Sequence, residues 1–182
     1  MDIVKHLKKH TEQIHSQLLN TSVEERMLLK TITLRFYFLL PDFDNIVRKC
    51  LKINIDKDQL VSDIIDGHLE KYQKPVKKSN AEIDEYADDF EEAEQMEIFI
   101  LDAIDNATSS VADLPSLERL FLGIIDVLDY YENFSDQPEY WNGLLDKELP
   151  FQIEFLNSIK SPENVDSFSY QKRYEDVDFS EV

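Results

Sequence analysis

A single cysteine, Cys50, and three glycines, Gly67, Gly123 and Gly143, are a short supply for a chain of 182 residues. One thiol cannot close an intrachain disulfide, nor can it supply the paired thiolates of a zinc finger. Three glycines are too few for the tight turns of a sheet-rich fold and leave no phosphate-cradling loop. No apolar run approaches the roughly eighteen residues that a membrane span needs. The opening MDIVKHLKKHTEQIH has no signal-peptide core, so the expected location is the cytoplasm. Bases are scarce too, at 19 against 38 acids, a formal net charge of -19. Such a surface repels nucleic acid and anionic lipid and calls for a basic partner. No catalytic motif is present, so neither an enzyme nor a cofactor is expected.

What is present is helical periodicity. With 42% hydrophobic residues the chain can bury one core of ordinary size. Ile3, Leu7, Ile14 and Leu18 recur at helical spacing, Ser22 with Glu25 spells a capping box, and Pro41 interrupts the apolar run that follows. Asn54 and Asp56 mark a turn before a helix reaching Tyr72, and KPVKKSN at residues 74–80 reads as a loop. Pro115 and Pro138 stand where helices open, the second helix running to about Ile159 with Pro150 inside it. The expected fold is all-α: a single-domain antiparallel bundle of five or six helices over residues 1–160. Residues 161–182 are polar and Ser-rich with scattered aromatics, which predicts a loosely docked tail.

The charge is concentrated in the second half, where residues 79–159 hold 21 acids and 2 bases. Asn80 to Asp105 alone holds eleven carboxylates and no Lys or Arg. Apolar residues at steps of three and four from Phe90 to Val111 predict a helix near the middle of the bundle, with acids in its first turns. A solvated face is the ordinary meaning of a charge run. A one-sided run that repels itself gains from a cationic partner. The predicted contact face combines Glu82, Asp84, Glu85, Asp88, Asp89 and Glu92 with Tyr86, and further aromatics at Phe90, Tyr130, Tyr131, Phe134, Tyr140 and Trp141 lie near acids. Glu12 and His15 form half of a di-iron pair without a second copy, and His6 and His10 sit between lysines, so no metal centre is expected.

Three stretches resemble a family. LLPDF at residues 39–43 with the following FDNIVRKCLKINIDKDQLVSDII is similar to the opening of the YjaG-like bacterial proteins, the domain of unknown function 416. ILDAIDNATSSV resembles their central Ala-rich helix, and KELPFQIEFLNSI their closing helix through Glu148, Gln152, Glu154, Phe155 and Leu156. The resemblance covers about residues 22–159. It departs where EEAEQMEIF replaces an aromatic Tyr-Gly-x-Tyr-Pro entry to the central helix. It implies an all-α fold and supplies no activity. Charge and surface then favour an immunity protein that binds and neutralises a basic toxin, with a helical adaptor for a non-toxin partner as the alternative.

Overall fold

A computed structural model describes residues 3–82 and 92–180. Among these residues the chain is all-α, without strands, and has nine α-helices rather than five or six. In order they are α1 (Ile3–Leu18), α2 (Val23–Tyr37), α3 (Phe43–Leu51), α4 (Lys57–Asp66), α5 (Glu70–Ala81), α6 (Gln95–Thr108), α7 (Leu114–Phe134), α8 (Pro138–Ser158) and α9 (Ser169–Tyr174). Two local features raise the count in the first half. Gly67 takes a left-handed conformation and ends α4, so the run expected to reach Tyr72 is two helices. KPVKKSN is not a loop but lies within α5, although Pro75 removes one donor from that helix. Tyr72 and Val76, one turn apart, are both buried and hold it in place. Gln73 Nε2 adds a 2.6 Å bond to the Thr108 carbonyl.

The middle of the molecule belongs to α2. The capping box forms as the sequence reads: Glu25 N–H donates to Ser22 Oγ, and Ser22 N–H donates to the Glu25 carboxylate. Nine consecutive residues, Leu29 to Tyr37, are then buried, which requires neighbours around the whole helix. α4, α6, α7 and α9 supply them. Among the polar members of the run, Thr33 Oγ1 is buried without a hydrogen-bond partner, while others are bonded. Lys30 Nζ donates to the Ser109 carbonyl at the end of α6, and burial lowers its amine to about 8. Tyr37 Oη donates to the Leu120 carbonyl. The helix expected at the centre is shorter than predicted: α6 starts at Gln95, so Glu92 and Glu94 precede it, and Ile98, Asp102 and Asp105 face solvent.

The C-terminal segment is not loosely docked. Tyr170, Tyr174 and Phe179 are 0%, 1% and 3% exposed, and α9 packs on α2. The reason lies in α8, where Glu148 is fully buried and accepts from Tyr170 Oη at 2.7 Å, Tyr174 Oη at 2.6 Å and Arg173 Nε at 3.1 Å. Burial pushes the Glu148 carboxyl up, and the Tyr174, Tyr170 and Arg173 contacts pull it back. Tyr131 Oη adds a bond to the Phe179 carbonyl. Around these bonds Phe36 meets Tyr174 and Phe179 edge-on at 5.0 and 5.7 Å.

Candidate functional site

The site is a trough floored by α7 and walled by α1 and α6. α6 and α7 run antiparallel, because Phe99 meets Tyr130 at 5.7 Å while, further along α6, Asn106 accepts from Arg119 Nε. α1 is fixed beside α7 at two points. His15 Nδ1 lies 2.7 Å from Glu118 Oε2. His10 Nε2 donates to Gln152 Oε1, whose amide in turn donates to the Phe121 carbonyl. α1 and α6 therefore flank α7 in the same sense and leave about 750 Å³ of open space between them. Leu7 and Thr11 line one wall, Ile98, Phe99 and Asp102 the other, and Leu122, Gly123 and Asp126 the floor.

Gly123 is low for a specific reason. A Cβ there would lie 2.6 Å from Tyr37 Oη, so the buried tyrosine from α2 reaches the underside of the trough only because this position has no side chain. The two carboxylates at the rim are under-neutralised. Asp102, Asp126 and nearby Asp129 have no ion-pair partner within salt-bridge distance among the described residues. All three are reached by solvent, and Asp102 and Asp126 line the concavity. The surrounding protein raises Asp102, with Asp105 adding to the rise and Arg119 opposing it. Asp126 is raised by the same desolvation and then by Asp129, and Asp129 by desolvation and Glu132. Beyond this end the aromatic surface continues from Phe99 through Tyr130 to Phe134, which is 67% exposed.

Of the predicted contact residues, Glu82 and Glu92 are described and exposed, and Glu82 pairs with Lys78 at 3.6 Å. Asp84, Glu85, Tyr86, Asp88 and Asp89 lie outside the described residues, as does Phe90. The aromatics divide. Trp141 and Tyr131 are core residues, fully buried and stacked at 4.4 Å, whereas Phe134 and Tyr140 are exposed. Asp102 and Asp126 were not singled out in the sequence, since only the antiparallel pairing of α6 and α7 brings them to one opening. A carboxylate in an otherwise apolar repeat, as in ILDAIDNA, is the signal that could have pointed there.

Among the described residues no three His, Cys, Asp or Glu side chains stand together in a way that could hold a metal ion, and no helix is long and apolar enough to cross a membrane. His10 and His15 are engaged with Gln152 and Glu118, while Glu12 is exposed. Comparison with family models, curated proteins and solved structures finds no match. The arrangement also holds the His15–Glu118 pair in its lining. It offers a concave acidic surface with apolar walls.

Proposed function

We propose that this is an acidic helical binding protein, most concretely a cytoplasmic bacterial immunity protein that binds and neutralises a basic cognate toxin such as a nuclease. The observation that carries this reading is the α1/α6/α7 trough, where carboxylates with no salt bridge among the described residues border apolar and aromatic walls. Carboxylates held in that state gain from an incoming Lys or Arg, and rings beside them supply area that slows release. The charge of -19 speeds encounter with a basic protein over a range set by the Debye length. A toxin that cleaves nucleic acid is itself basic because it must hold phosphate. Membership of the YjaG-like family is proposed on the three quoted stretches, and the functional reading does not depend on it.

Co-expression with a basic toxin domain found encoded in a neighbouring reading frame tests the proposal. Restored growth, together with a complex that weakens as salt rises, is the expected result. Continued toxicity with both proteins folded and no complex formed would overturn it and favour an adaptor for another partner.

A further inference from the structure

We infer that the occupant of the trough is a cationic amphipathic helix of the partner, laid along α7 between α1 and α6. This rests on the binding role proposed above and names the shape and chemistry that fit. The floor from Pro115 to Asp126 spans eleven residue steps of α7, about 17 Å or three helical turns. Its two walls are themselves helices, both antiparallel to α7. A further helix seated between them would meet α7 at the ordinary interaxial distance of about 8–10 Å. Ile98, Phe99 and Leu122 offer an apolar strip to one face of such a helix. Asp102 on the α6 wall and Asp126 at the floor edge offer charge to the sides of that face.

The charge complementarity is directional. Asp102 and Asp126 lie toward the open, aromatic end, whereas the Pro115 end holds Arg119, bonded to Asn106 and Ser116, and the His15–Glu118 pair. Lys or Arg residues on the occupant therefore belong near Asp102 and Asp126, with its apolar stripe over Phe99 and Leu122. This is recognition of an amphipathic helix in a groove, read through anchors at steps of three and four. An extended peptide would send alternate side chains to opposite faces and would match anchors at steps of three and four less well.

The probe is a synthetic helix of about 15 residues with a leucine stripe flanked by lysines, compared with a scrambled peptide of the same composition. With full-length protein labelled for NMR, the patterned peptide is expected to shift amides of Phe99, Asp102, Leu122 and Asp126. The scrambled peptide is expected to bind at least about tenfold more weakly, a difference of about 1.4 kcal/mol. Asp102→Lys with Asp126→Lys should abolish the shifts. Asp102→Asn with Asp126→Asn, which keeps the shape, should weaken binding and flatten its salt dependence. Equal binding of both peptides, or shifts confined to other surfaces, overturns the proposal. Growth rescue separates it from the broader reading: rescue that survives the double Lys variant sinks the trough as the contact and leaves the immunity role standing. Loss of rescue in that folded variant supports both.

Discussion

Two places in this molecule use the same functional group to opposite ends. At the α8–α9 junction one carboxylate, Glu148, is fully enclosed and meets two phenols and a guanidinium. At the trough, Asp102 and Asp126 stand at an opening with no salt bridge among the described residues, both raised by desolvation, Asp102 with partial relief from Arg119. The first arrangement ties the chain to itself. The second stores an unmet demand for positive charge on a protein whose net charge already disfavours compactness. Asp63 lies between the two: Lys71, Tyr72 and Gln59 all bond to it, and these contacts lower its carboxyl to about 2.

The sharpest way to break the contrast is at Glu148. Glu148→Ala strands Arg173 and two buried hydroxyls and should cost about 3–5 kcal/mol. Denaturant unfolding measures this, and Glu148→Gln, which retains an acceptor for the tyrosines, should lose less. Next comes the trough floor. Gly123→Ala forces Tyr37 Oη away from the Leu120 carbonyl and should cost about 1–3 kcal/mol, whereas Gly143→Ala, with open space around it, should stabilise α8 by about 0.5–1 kcal/mol. Introducing Tyr37→Phe first should shrink the Gly123 penalty, and thermal unfolding of the four combinations reads the coupling.

Asp63 sharpens the comparison through pH. Its folded value is depressed, so its contribution is fully present above about pH 4, the unfolded carboxyl value, and is lost as pH falls toward about 2. Asp63→Asn should flatten the stability curve in that window and leave its shape near neutrality unchanged. The smallest effect is expected at the rim. Asp102 and Asp126 are raised, so the folded state binds protons more readily than the unfolded chain, and their ionisation lowers stability as pH rises through the folded values. Asp102→Asn with Asp126→Asn should therefore raise the melting midpoint at neutral pH by about 1–2 °C, solvent screening keeping the gain small. The same pair of changes should weaken partner binding. A gain in stability joined to a loss of binding is what distinguishes a rim built for a partner from one that only faces water.

Local chemistry in the sequence was legible wherever it acts within a turn. Ser22 with Glu25, the turn at Asn54 and Asp56 before α4, and the prolines that open α7 and α8 stand as read. Helical class followed from periodicity alone. What could not be read depends on distant neighbours. Tyr170 and Tyr174 share one face of a short helix, a pattern visible in the sequence, but their acceptor lies 22 and 26 residues away on α8, so the segment looked unattached. Pro75 signalled a break that the burial of Tyr72 and Val76 overrode. The trough is the extreme case, because Asp102 and Asp126 share an opening only through the antiparallel packing of α6 and α7. Charge counting located the acidic half and pointed first to Glu82 through Glu92, of which only the two ends are described.

The stack at the end of α7 has an optical consequence. Trp141 is the single tryptophan of the chain, and it touches Tyr131 at 4.4 Å on one side and Phe179 at 5.5 Å on another. Its fluorescence is therefore a built-in gauge of whether the last helix and the residues after it are seated. Emission shifts to the red when Phe179 leaves and water reaches the indole, while α7 and α8 can still be helical by circular dichroism. Release of the C-terminal segment and melting of the body thus report in different channels of the same unlabelled protein.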